Sequence, residues 1–91
     1  MKFTIEIGQT EKHQLHYEFN QLLGRLVIKI DNQLVKQSIR LFNEPVFEVH
    51  RLLVGETEKS SVRIEKQRKI LFGQRNRLYI NERLAEVFNG V

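Results

Sequence analysis

The sequence predicts an all-β fold, a compact antiparallel β-sandwich of about eight strands built from two similar four-stranded units. Three observations carry this. Large apolar residues alternate with polar ones through most of the chain, the period-two signature of strands with one buried face. The alternation breaks at Gly, Asn and Asp, residues suited to tight turns. The segment Ile7-Gly8-Gln9-Thr10-Glu11-Lys12 also recurs as Val54-Gly55-Glu56-Thr57-Glu58-Lys59, an offset of 47.

The elements follow in order. Phe3, Ile5 and Ile7 line one face, and Gly8-Gln9-Thr10 turns the chain. Leu15, Tyr17 and Phe19 alternate with Gln14, His16 and Glu18, and Asn20 to Gly24 makes the next connection. Leu26, Ile28 and Ile30 form a third inward row. Asp31-Asn32-Gln33 then reads as a hairpin turn, because Asp and Asn tolerate positive φ. Leu34, Val35, Ile39 and Leu41 continue into a fourth strand. In the second half Val62 and Ile64, then Ile70-Leu71-Phe72, then Leu78 and Ile80 repeat the pattern. A turn at Asn81-Glu82-Arg83 follows, and Leu84, Val87 and Phe88 close the domain.

Two places admit two readings. Over 44–54, Asn43 as cap, Pro45 in a first turn and Gly55 as stop fit a helix. Phe47, Val49 and Arg51 equally fit an extended run, and Val and Phe favour strands. Gly73 reads either as a bulge within a strand from Ile70 to Ile80 or as a hairpin turn with Asn76.

The repeat extends further. Leu15, Tyr17 and Glu18 stand opposite Val62, Ile64 and Glu65. Ile30-Asp31-Asn32-Gln33-Leu34 matches Ile80-Asn81-Glu82-Arg83-Leu84 after a three-residue insertion. Two copies are too few for a solenoid and suit two sheets stacked face to face.

The chain has 91 residues, 41% hydrophobic and 29% charged, with one proline, a composition for one folded domain over 1–91 rather than a disordered chain. A chain of this size buries roughly 60–65% of its unfolded surface, leaving little to wall a deep pocket. It has no cysteine, which excludes disulfides and thiolate chemistry. Apolar runs reach only three residues, too short for a membrane span, and no secretory signal is visible, so the expected location is cytoplasmic.

The net charge of +4 is concentrated in one segment. Residues 63–77 carry Arg63, Lys66, Arg68, Lys69, Arg75 and Arg77 against Glu65 alone. Such a patch attracts nucleic acid, anionic lipid or an acidic protein surface. The plainer expectation is that these cations guard an exposed sheet edge. For single-stranded nucleic acid, Tyr79 is the stacking platform that shares parity with Arg77, whereas Phe72 falls in step with the core.

Nothing predicts an enzyme. His13 and His16 lie three apart on a strand and face opposite ways, so they do not chelate one metal, and His50 is distant. Ser60-Ser61 lacks a neighbouring His or Asp. Glu11, Glu18, Glu58 and Glu65 recur at repeat-related positions and are expected on the solvated face. The glycines are isolated, so there is no phosphate loop, and no cofactor is implied. A protein-interaction role rests on a second apolar set, Leu23, Val27, Leu41, Leu71 and Tyr79, opposite the core, with a protein partner or a second copy as its occupant.

The stretch from Glu11 to Phe19, followed by Gly24-Arg25-Leu26-Val27-Ile28-Lys29-Ile30-Asp31-Asn32-Gln33, resembles the Fas apoptotic inhibitory molecule family. Phe47, Leu53-Val54-Gly55, Val62-Arg63-Ile64 and Leu78-Tyr79-Ile80-Asn81 match it in order. The chain departs from that family in having no Trp, in carrying Asn32 and Glu82 where it has turn glycines, and in Asn20-Gln21 where it has His-Gly. The resemblance implies two packed antiparallel sheets and a non-catalytic protein-interaction role.

Overall fold

The computed structural model describes residues 1–40, 45–69 and 72–90. The strands are β1 (Lys2–Ile7), β2 (His13–Asn20), β3 (Arg25–Ile30), β4 (Gln33–Ile39), β5 (Phe47–Val54), β6 (Ser60–Arg68), β7 (Gln74–Ile80) and β8 (Arg83–Gly90). They pair antiparallel in two four-stranded meanders, β1-β2-β3-β4 and β5-β6-β7-β8. The all-β sandwich of two similar units is therefore the observed fold.

Each sheet buries the face its alternation predicts. Leu15, Tyr17, Leu26 and Ile28 from the first sheet meet Val62, Ile64 and Leu78 from the second, all at most 1% exposed. Full burial of such a side chain contributes about 1.5–3 kcal/mol, which makes this layer the main source of stability. Cross-sheet contacts fix the stacking. β1 lies over β8, where the Phe3 and Phe88 rings stack with centroids 3.8 Å apart. At the other side β4 lies over β5, where Lys36 donates to His50 Nδ1 at 2.7 Å.

The two units obey one construction rule. Gly8 and Gly55 adopt φ of +102° and +101°, and a Cβ on either would lie 2.1 Å from the carbonyl oxygen three residues later, Glu11 and Glu58 respectively. Both the β3–β4 and β7–β8 hairpins place two consecutive residues at positive φ, Asp31-Asn32 and Asn81-Glu82, the type I′ geometry that matches strand twist. Each is anchored alike. Gln14 N–H donates to Asp31 Oδ1 at 2.8 Å, and Ser61 N–H to Asn81 Oδ1 at 2.9 Å. Both units also shift register next to the turn, between Ile28 and Lys29 on β3 and between Leu78 and Tyr79 on β7, which leaves Val35 and Ala85 as the extra residues on the strands that follow.

Several expectations are resolved. Residues 47–54 are strand β5, paired from Phe47 with Gln67 to Val54 with Ser60, so the helical reading fails. Gly73 lies in the β6–β7 connection, where its carbonyl accepts from Lys69 N–H at 3.0 Å, and Asn76 sits inside β7 rather than in the turn. Phe72, placed by parity in the core, is 52% exposed because it precedes β7. Val27 is buried rather than part of an exposed second face. Leu41, Asn43, Glu44, Ile70 and Leu71 lie outside the described residues.

Candidate interaction surface

The residues of the basic segment divide between two environments. Lys66 belongs to the interior, not the surface. It is 0% exposed, and its Nζ lies 3.6 Å from the centre of the Phe19 ring. Its parity with Val62 and Ile64 points it inward, and this outweighs its charge. Phe19 and Lys66 occupy equivalent positions in the two units and meet where the halves adjoin.

The other basic residues face outward. Arg63, Glu65 and Gln67 on β6 stand beside Tyr79, Arg77 and Arg75 on β7, pair by pair. Arg63 is the least free of them. It forms ion pairs with Glu65 (3.2 Å) and Glu82, and its guanidinium lies 4.2 Å over the Tyr79 ring. Arg75 donates to Asn89 Oδ1 at 3.0 Å, and Arg77 reaches Gln67. Arg68 and Lys69 are exposed at the end of β6, and with Gln67 and Arg75 they border a shallow depression of about 300 Å³.

Apolar groups flank these cations on both edge strands. Leu53 on β5 is 67% exposed, and Leu84 and Val87 on β8 pair with Tyr79 and Arg77 on the same outer face. Arg51, paired with Arg63, adds a fourth guanidinium. Outward parity on β5 marks Arg51 and Leu53 in the sequence. Leu84 carries no such mark, because the register shift that follows it, at Ala85, puts it on the same face as Val87. Of the apolar set expected opposite the core, Leu23 is exposed and Tyr79 is half-buried beneath Arg63.

The repeat-related carboxylates are not a solvated pair. Glu58 accepts from the backbone N–H groups of Gln9, Thr10 and Glu11, and Glu11 accepts from those of Glu56, Thr57 and Glu58. Hydrogen bonds to the charged form hold both carboxyls at about 2. For Glu11 the largest cause is His13, followed by the amides. For Glu58 it is the amides themselves. Asp31 and then Glu11, each hydrogen-bonded to the His13 ring, hold that imidazole above its ordinary value. Glu18 and Glu65 are half-buried on opposite outer faces.

Polar groups also enter the core. Tyr17 donates to Asn76 Oδ1 at 3.0 Å, and Asn76 donates to Gln74 Oε1 at 3.1 Å, all three residues fully buried. His50, 1% exposed, accepts from Lys36, while its Nε2 lies 3.4 Å from Glu48 Oε1 and has no hydrogen-bond partner among the described residues. Burial, and next the Lys36 ammonium, push His50 down to about 4, so the ring is neutral. Ser60 is buried in β6. Among the described residues no group of three His, Asp or Glu side chains is placed to hold a metal ion. No protein-family model, curated protein or solved structure matches the chain.

Proposed function

We propose that the chain is a non-catalytic protein-interaction domain that binds an acidic partner surface through the outer face of β5–β8. One observation carries this reading. Arg51, Arg63, Arg75 and Arg77 stand on one open sheet face with Leu53, Leu84 and Val87 exposed at its two margins. Arginine is enriched among energetically dominant interface residues, the exposed leucines and valine add apolar contact area beside it, and Glu65 is the single carboxylate within those strands on that face. The resemblance to the Fas apoptotic inhibitory molecule family supports the same role.

Single-stranded nucleic acid is the competing ligand, favoured by the depression between Arg68, Lys69 and Arg75. It is the weaker reading, because the face of Tyr79 that a base would stack on carries Arg63.

Site-specific photocrosslinking in cells tests the proposal. A photoreactive residue replacing Leu53 or Val87 should yield a discrete protein adduct that Arg77→Glu abolishes, and one replacing Thr4 on the opposite sheet should not. RNA adducts in place of protein, or equal adducts from Thr4, would refute it.

A further inference from the structure

The two ends of the sandwich differ in chemistry. At one end lie the turns 8–12, 31–32, 55–59 and 81–82, which hold Glu11, Asp31, Glu56, Glu58 and Glu82 against Lys12 and Lys59. At the other end the β2–β3 and β6–β7 connections meet. The Gln21 side chain accepts from Gly73 N–H at 2.9 Å and donates to its carbonyl at 3.5 Å. Leu22 (79%), Leu23 (50%) and Phe72 (52%) project from these two tips. Lys2, Arg25, Arg68, Lys69 and Arg75 surround them at the adjoining strand ends, with Glu18 lower in the cleft of about 470 Å³ beside Leu22 and Phe72.

We propose that this end docks on an anionic lipid bilayer, with Leu22, Leu23 and Phe72 entering the interfacial layer and the surrounding cations on the headgroups. Three features favour lipid over a protein groove. The exposed apolar groups stand in two inter-strand connections at one end of the sandwich rather than on a sheet face. The charge separation between the two ends turns this end toward an anionic plane. Backbone groups of the β2–β3 tip are also satisfied from within, as leaving water requires. Leu22 and Leu23 N–H groups donate to Asn20 Oδ1 at 3.0 and 3.2 Å, and the Gly24 carbonyl accepts from Arg40 N–H at 2.9 Å. Docking of this kind lies on the membrane without spanning it, and no helix among the described residues is long and apolar enough to cross one. The surface shares Arg75 with the outer face of β5–β8 but none of its apolar groups, so either assignment can fail alone.

The test is co-sedimentation of the full chain with vesicles of phosphatidylcholine plus phosphatidylserine, against phosphatidylcholine alone. Binding is expected to the anionic vesicles only, and to weaken as salt rises. Leu22→Ser with Leu23→Ser should lower partitioning about tenfold while leaving thermal stability unchanged. Arg68→Glu with Lys69→Glu should lower it at least about tenfold, and Lys12→Glu with Lys59→Glu should leave it intact. The chain has no tryptophan, so Phe72→Trp supplies a single reporter whose emission should shift to the blue on the anionic vesicles. No sedimentation at low salt would overturn the proposal, as would full binding by the leucine variant or unshifted emission from the Phe72→Trp chain. Crosslinking of the tips to a protein in the absence of vesicle binding would overturn it too.

Discussion

Glu11 and Glu58, equivalent residues of the two halves, cap each other's turn: each carboxylate accepts three backbone N–H groups from the loop that holds the other. The two sheets are thereby joined at one end by a reciprocal, charge-assisted contact, and the strand registers of both units start from the same point.

This contact predicts an acid limit to stability. Both carboxyls are held at about 2, below their unfolded value, so their contribution is complete above the ordinary carboxylate range and is lost as pH falls toward 2. Thermal melting followed from pH 6 to pH 2 should show a falling Tm below about pH 4.5. Glu11→Gln with Glu58→Gln should lower Tm at neutral pH and flatten that decline. An unchanged acid slope would count against the reciprocal cap.

His50 predicts a second, separate window. Its folded-state value is pushed down, so the unfolded chain takes up a proton first, and stability falls as pH drops from about 6.5 toward 4. Lys36, Arg40, Lys66 and Glu48 are the charged groups around the ring. Phe3 occupies the equivalent place in the first unit, stacked on Phe88. His50→Phe should therefore remove the slope between pH 6.5 and 4 and leave the lower one. Persistence of the upper slope would assign it elsewhere.

The fold was legible where chemistry and periodicity agree. Phe3-Ile5-Ile7 and Leu15-Tyr17-Phe19 have one parity and one polarity, and Asp31-Asn32 suits the backbone its turn requires. The interior polar residues were hidden because the two signals conflict. His50, Lys66, Gln74 and Asn76 all keep inward parity with apolar neighbours, yet each is polar enough to read as surface. The exposure of Leu34 and Leu84 was illegible for another reason. A register shift depends on how many residues oppose each other across two strands, which one strand's pattern does not contain. The surface patch was half legible: Arg75 and Arg77 lie where their charge suggests and Leu53 follows from outward parity on β5, whereas the flanking Leu84 became visible only with pairing.

Tyr17 and Asn76 should behave as a coupled pair. In the related position the other half has only apolar side chains, Ile64 and Leu26. Tyr17→Phe leaves the buried Asn76 carbonyl without its donor and should cost about 1–3 kcal/mol in denaturant unfolding. Asn76→Leu should cost less in the Tyr17→Phe background than alone, giving an interaction energy of about 1 kcal/mol or more. Strict additivity would show that the hydrogen bond does not form.

Lys66 separates burial from charge. Lys66→Glu puts a carboxylate against Phe19 in the core and should destabilise by about 3 kcal/mol or more. Lys66→Met keeps the volume and should change stability by less than about 1.5 kcal/mol. Because Lys66 is out of solvent, Lys66→Met should also leave binding of a labelled oligonucleotide at low salt as it is in the parent chain, whereas Arg68→Glu should lower it.

Recognition of protein rather than nucleic acid by the outer face of β5–β8 is checked by anisotropy of a labelled single-stranded oligonucleotide titrated across a salt series. Each phosphate neutralised contributes about −0.7 to the slope of log affinity against log salt. No saturable binding is expected at physiological ionic strength, and at low salt the slope should be left unchanged by Arg77→Glu with Tyr79→Ala. Saturable binding at physiological salt, with a slope of several units that those substitutions reduce, would contradict protein recognition and make the face a nucleic-acid surface.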